Sequence, residues 1–258
     1  MPLPRRRAAE PLATVLLYHA VADCSPEEDP DHLAVSPRAF ERQIAALARR
    51  RDVVDLGTAV SNHAPKRHVA VTFDDGFANV LHNAVPILAA FGIRATMFVS
   101  SGLLEPRPAP GNNSEPLRRL TVDELRELAE HVDIGSHGHD HIDLSRATRQ
   151  QVEEDLTRSR DILGEILGEP PEFLAWPFGR SSREAREVAE EVGFTAAFST
   201  ERYAAGSLAR ERVAVYPHDG DAMFRFKSSG LYGPVRRSWL ATRAEPVLSR
   251  LSTTRRRR

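Results

Sequence analysis

Short apolar, β-branched runs alternate along this chain with amphipathic helical segments, and the residues able to do chemistry fall just after the runs. Thr14 to Tyr18, His68 to Phe73, Ile93 to Val99, Val132 to Ser136, Phe173 to Ala175 and Thr195 to Ser199 read as strands. Between them the spacing predicts a helix over about Pro37 to Arg50, with Ser36 as N-cap, Pro37 at N1, and Phe40, Ile44 and Leu47 on one face. Further helices are expected over about 78–91, ended by Gly92; from a Thr121/Glu124 capping box to about Glu130; over Gln150 to Leu167, closed by Gly168; and over Arg183 to Val192, closed by Gly193. Repeated βα units build a parallel sheet. Because the candidate site residues all sit at C-terminal ends of strands, a barrel is expected, with a doubly wound open sheet as the alternative.

Two of these strand tips are chemically distinctive. Val69-Ala-Val-Thr-Phe73 runs into the acid pair Asp74-Asp75, and Gly76 permits the sharp turn that exposes side chains there. Val132 to Ser136 runs into His137-Gly-His139-Asp-His141. A carboxylate from the first tip and two imidazoles from the second could share one cation and leave a position open for water, as a catalytic zinc needs and a closed structural site lacks. The donor set suits Zn²⁺, with Co²⁺, Fe²⁺, Mn²⁺ or Ni²⁺ as other occupants. Taken singly, Asp-Asp-Gly is an ordinary turn and a His-rich loop an ordinary solvated loop. Their joint placement after strands carries the metal reading.

These residues also carry a resemblance. Thr72-Phe-Asp-Asp-Gly76 resembles the first motif of the polysaccharide deacetylases, the NodB-homology or carbohydrate esterase family 4 proteins, and Ser136-His-Gly-His-Asp-His141 resembles their second. Phe173-Leu-Ala-Trp-Pro-Phe-Gly179 is similar to the family's Arg-x-Pro-Tyr segment, and the likeness extends through Tyr18-His19-Ala-Val, Ala95-Thr-Met-Phe-Val and Glu211-Arg-Val-Ala-Val, covering about residues 15 to 232. The resemblance implies a distorted (β/α)7 barrel, with Asp74 as general base, Asp75, His137 and His141 as metal ligands, and the backbone N–H of Phe178 as oxyanion donor. His139 is not a family ligand. The chain departs from the pattern at Gly138, where Ser or Thr is usual, and at Ala175, where many members have Arg; the late Asp-x-x-Asp-Trp and Leu-x-His segments, the second bearing the usual catalytic acid, are not evident. His218, followed by Asp219, stands in for that acid as an expectation. His19, Trp176 and Pro177 are expected to line the substrate pocket, with Trp176 and Tyr232 as candidates to stack on a sugar face.

The chemistry follows from these groups. A metal-activated water with Asp74 as base attacks an amide carbonyl, and the backbone donor after Pro177 meets the charge on the oxygen. The expected activity is therefore removal of acetyl groups from an N-acetylated glycan. A non-sugar amide or imide hydrolase and a glycan-binding protein without turnover are the alternatives.

Composition bounds this reading. The 258 residues, 41% hydrophobic and 28% charged, suffice for one barrel domain, expected over 14–240 between tails at 1–13 and 241–258. A net charge of −1 lacks the basic surplus of a nucleic-acid binder. Among the 35 basic residues only Lys66 and Lys227 are lysine, and Arg5 to Arg7 and Arg255 to Arg258 are expected to be solvated ends. Cys24 is the single cysteine, so no internal disulfide forms. The first residues lack the apolar core of a signal peptide and no run approaches a membrane span, so the expected location is the cytoplasm or a membrane periphery. Pro106 to Pro116, rich in Pro, Asn and Gly, is expected as a rim loop.

Overall fold

Strand follows helix in the order β1 (Thr14–Tyr18), β2 (Ala20–Val21), β3 (Ala34–Val35), α1 (Pro37–Arg50), β4 (Asp52–Val53), α2 (Leu56–Val60), β5 (His68–Phe73), α3 (Val85–Ala90), β6 (Thr96–Val99), α4 (Val122–His131), β7 (Asp133–Ser136), α5 (Arg149–Leu167), β8 (Phe173–Ala175), α6 (Arg183–Val192), β9 (Ala196–Ser199), β10 (Arg210–Glu211), β11 (Val213–Ala214), α7 (Asp221–Lys227) and α8 (Tyr232–Arg237). The structure is a computed structural model that describes residues 13–61, 65, 67–105, 116–201 and 206–237. Apart from Ala13 and Pro116, the expected basic ends and rim loop lie outside the described residues.

The main ladders are parallel, and neighbours run β11, β1, β5, β6, β7, β8, β9, β10. Only Arg212 separates β10 from β11. Arg210 and Glu211 pair with Phe198 and Ser199, while Val213 and Ala214 pair with Leu16 and Leu17. One kinked segment, Arg210 to Ala214, therefore bridges the last strand to the first and closes a parallel barrel. Six full strands plus this shared segment make the seven positions of a (β/α)7 barrel, and the closure excludes the open-sheet alternative.

Strand parity sorts the side chains into two cores. Leu16 and Tyr18 of β1 and Val69, Val71 and Phe73 of β5 face outward onto Phe40, Ile44 and Leu47 of α1. Each such side chain contributes about 1.5–3 kcal/mol when fully buried, so this face, rather than intrinsic propensity, holds α1 on the barrel. The alternate residues Val15, Ala70, Phe98, Ala175 and Phe198 fill the interior. Thr72, Asp74 and Arg212 share that inward parity and are buried above this dry floor.

Local signals act as their chemistry requires. Ser36 caps α1 through the Ala39 N–H, Thr121 and Glu124 form a reciprocal capping box on α4, and Gly168 ends α5 in the left-handed conformation at φ 90°. The expected helix over 78–91 differs. The chain first makes a wider turn over Val80–Ala84, where the Val85 N–H reaches Val80 O, and only then enters α3. Pro86 explains it: without an N–H it cannot bond His82 O, and its ring displaces that carbonyl.

Candidate metal centre and its surroundings

β5 delivers the acids. The Asp74 N–H donates to Tyr18 O at 3.0 Å, which extends the ladder one residue past the strand and fixes Asp74 inward. Asp75 then turns at φ 73° and Gly76 at φ 70°. A non-glycine residue in that region costs about 1–2 kcal/mol, so the turn needs support. It comes from the segment before α4: the Leu120 N–H donates to Gly76 O at 2.8 Å, the Ala78 N–H to Arg118 O at 3.0 Å, and Arg119 Nη1 to Asp75 O at 2.7 Å. Arg119 lies over the Phe77 ring and 3.6 Å from Asp75 Oδ2, leaving Oδ1 to face the histidines.

β7 delivers the imidazoles. The His137 N–H donates to Val99 O at 2.8 Å, and its ring Nδ1 lies 2.8 Å from Ala175 O. That second bond requires a proton on Nδ1 and turns Nε2 toward Asp75, the usual orientation behind a metal-binding histidine. His137 Nε2 is 3.4 Å and His141 Nε2 3.0 Å from Asp75 Oδ1. One donor atom each from Asp75, His137 and His141 all lie within 4.8 Å of one another. One carboxylate oxygen and two imidazole nitrogens converge, with no fourth such donor among the described residues, and fit a divalent cation with an open side.

Asp74 is not part of this donor group. Its carboxylate is held bidentately by Arg212, Nη1 to Oδ1 at 2.7 Å and Nη2 to Oδ2 at 2.6 Å, and Arg212 is itself fully buried. Burial would raise the Asp74 pKa, but the Arg212 charge and then that of His137 outweigh it and hold the carboxyl below its ordinary range. Burial likewise opposes ionisation of Asp75, yet hydrogen bonds from His137 and His141 keep it well below the usual carboxylate value. The site thus carries two ionised carboxylates with different main partners, Asp75 beside the two imidazoles and Asp74 on a guanidinium, with His137 Nε2 3.9 Å from Asp74 Oδ2 between them.

The other residues singled out in sequence fall into distinct places. Phe178, in the turn over Pro177–Gly179, has φ 57°, exposes its ring and packs it 4.9 Å from His141; its N–H donates to no other described residue. His19, partly buried past β1, has its pKa lowered chiefly by burial, against the pull of Asp74 and Asp75. His218 is exposed and stacked on Tyr216 at 5.3 Å, while Asp219 is taken by Lys227 at 2.6 Å and by the Tyr216 N–H. His139 is buried with Nδ1 2.7 Å from the Ser101 hydroxyl. Trp176 corrects an expectation: its indole is fully buried, donates to Leu208 O at 2.9 Å and packs with Leu174 and Val188, so it cannot stack on a sugar. Pro177 is buried too and shapes the turn. Tyr232 packs edge-on against Phe226.

Sequence reasoning missed three residues. Arg212 was visible as the charge that leads directly into an apolar β-run, Glu211-Arg-Val-Ala-Val. Asp155 was visible as an acid on the inner face of α5, one residue before Leu156 and three after Val152. Arg119 gave no local signal, because its contacts reach back 44 residues to Asp75.

The chain is thus a parallel barrel whose strand tips converge an acid, two imidazoles and a carboxylate held by a guanidinium. The family description "polysaccharide deacetylase" matches residues 61–197, and the chain belongs to that family. YxkH of Bacillus subtilis, whose name places it in the same family, is 30% identical over 154 residues, 58% of this chain and 52% of that one. A poly-β-1,6-N-acetyl-D-glucosamine N-deacetylase of Staphylococcus aureus is 28% identical over 153 residues, 54% of this chain and 50% of that one. The chain spans about half the length of these curated relatives. Among solved structures, the Streptococcus pyogenes deacetylase PplD in complex with acetate shares the fold with TM-score 0.73 at 24% identity, over 84% of this chain and 98% of that one. IcaB from Ammonifex degensii does so with TM-score 0.67 at 23% identity, over 88% and 97%. Among the described residues no helix is long and apolar enough to cross a membrane.

Proposed function

We propose that this chain is a metal-dependent N-deacetylase that removes acetyl groups from amino sugars in a glycan, releasing acetate and a free amine. The observation that carries this is the division of labour between adjacent acids: Asp75 faces two imidazoles, while Asp74, held ionised by Arg212, stands outside that donor group beside it as a carboxylate base. Asp75, His137 and His141 would hold the cation, with Zn²⁺ the occupant their donor set suits best. When bound, such a cation supplies Lewis acidity toward the amide carbonyl and lowers the pKa of water toward about 7.

The chain's own groups do the rest. Asp74 removes a proton from the attacking water. The Phe178 N–H, with no partner among the described residues, donates to the developing oxyanion; loss of one such donor typically costs about 10²- to 10³-fold in rate. His218, expected to protonate the departing amine, stacks on Tyr216 at the surface, whereas His19, expected only to line the pocket, stands in the electrostatic surroundings of Asp74 and Asp75 and is the better-placed candidate for that proton transfer. The name of the Staphylococcus relative, an N-deacetylase of an N-acetylglucosamine polymer, supports the amino-sugar substrate.

The test is acetate release from a series of N-acetylglucosamine oligomers by zinc-loaded protein, with Asp74→Asn in parallel. Release by the parent, abolished by chelation and lost in the variant, is expected. Zinc-loaded protein that binds the oligomers without releasing acetate would make it a glycan-binding relative; hydrolysis only of non-sugar amides or imides would move the substrate class.

A further inference from the structure

The loop from Ser136 to His141 carries both imidazole donors, and its backbone is gripped from two sides. Its carbonyls go to the segment after β6: the Ser100 hydroxyl donates to His137 O at 2.9 Å, the Ser101 N–H to Gly138 O at 3.2 Å and the Gly102 N–H to His139 O at 3.0 Å. Three successive N–H groups, of Gly138, His139 and Asp140, are bound elsewhere. Consecutive N–H groups of this kind form a concavity suited to an anion. Here the chain supplies the anion itself: Asp155 of α5, 5% exposed, accepts from the His139 N–H through Oδ2 and from the Asp140 N–H through Oδ1, both at 2.9 Å, while the Gly138 N–H goes to the Ser136 hydroxyl at 3.1 Å.

Gly138 belongs to the same device. Its φ is 74°, and a Cβ there would lie 2.6 Å from Asp155 Oδ2. A side chain at 138 would therefore push the carboxylate out of the concavity.

We propose that Asp155 is the positioning residue of the metal centre: it fixes the loop that spaces His137 from His141, and thereby sets metal affinity, with Gly138 as the residue that makes room for it. This rests on the metal role of Asp75, His137 and His141 proposed above. Asp155 touches none of the three donors, so it acts only through the backbone between two of them. Outer partners of metal ligands typically contribute about 10- to 100-fold in affinity.

The experiment is competition titration of metal-free protein with zinc and a chromophoric chelator, beside circular dichroism and thermal melting of the same metal-free samples. Asp155→Asn, which keeps the volume but turns a donor toward an N–H, is expected to weaken zinc binding by about 10- to 100-fold while the metal-free protein still folds. Gly138→Ala should weaken it from the other side of the contact. In an Asp155→Ala background, where the close approach is relieved, the same Gly138→Ala change should have a smaller effect, since residues sharing a contact are not additive. His141→Ala separates the two levels. A parent that binds no zinc, or one unaffected by His141→Ala, overturns the metal centre itself. A parent that binds zinc through His141 while Asp155→Asn and Gly138→Ala bind within twofold of it overturns only the role of Asp155. An Asp155→Asn protein that is unfolded when metal-free, with Gly138→Ala binding like the parent, also overturns it in favour of plain structural support.

Discussion

Replacing Arg212 by Met removes the charge that keeps Asp74 ionised while leaving an apolar side chain of similar length in the barrel. The contact is bidentate, at 2.7 and 2.6 Å, and both partners are buried. A pair about 4 Å apart at an effective dielectric near 20 is worth about 4 kcal/mol. Without it, burial outweighs what remains of the opposing pull of His137, and the Asp74 carboxyl should rise from below its ordinary range to above it. In the parent, the depressed pKa contributes stability that is present above the unfolded value and lost as pH falls through the folded one. The variant reverses the sign: its destabilisation, about 3–5 kcal/mol at pH 8, should shrink by about 1.4 kcal/mol per pH unit below the raised pKa, because a neutral Asp74 no longer needs a partner. Urea unfolding of metal-free parent and variant at pH 5.5 and pH 8, followed by circular dichroism, measures this. A stability difference that is equal at the two pH values, or below about 1 kcal/mol at both, would refute the idea that Arg212 sets the charge state of Asp74.

Two further expectations concern the same site. His137 titrates above its ordinary value in the metal-free protein, because Asp74 and Asp75 outweigh the opposing effect of burial; its contribution to stability is full below about pH 6.5 and lost as pH rises through the raised pKa. Metal-free protein should therefore melt at lower temperature at pH 8.5 than at pH 6.5, and zinc, taking the proton's place, should abolish the difference; a melting temperature that rises over that interval contradicts this. Phe178 sits at φ 57°, so Phe178→Gly should be more stable than Phe178→Ala by about 1 kcal/mol in urea unfolding, while both keep the N–H and release acetate at comparable kcat. A tenfold loss of kcat in Phe178→Gly would instead place the aromatic ring, and not the backbone donor, in the reaction.

The expected elements were legible where the signal is local. Ser36, the Thr121/Glu124 box, Gly168 and Gly193 mark helix ends by the bonds and conformations those residue types make within a few positions, and the structure uses all of them. The wide turn before α3 was less legible, since a proline such as Pro86 is compatible from sequence with either a helix start or a distorted turn. Trp176 shows the limit of composition: an aromatic beside Pro reads the same whether it lines a pocket or, as here, fills the space between β8 and α6.

Sequence alone determined where the acids and histidines stand, because each follows a β-branched run and such runs end where the barrel opens. It also determined that the fold is a parallel α/β one, since the alternation of two periodicities leaves few other ways to bury both kinds of apolar face. Tertiary structure decided what surrounds the acids. The guanidinium that pairs with Asp74 comes from Arg212, 138 residues away, because the segment Arg210 to Ala214 bends to pair with both β9 and β1 and turns that one side chain inward. Arg119 beneath Asp75 and Asp155 beneath the histidine loop are likewise partners across space. Charge and hydrogen bonding depend on distances of a few ångströms between groups far apart in the chain, and no periodicity encodes those; only closure of the barrel brings them together.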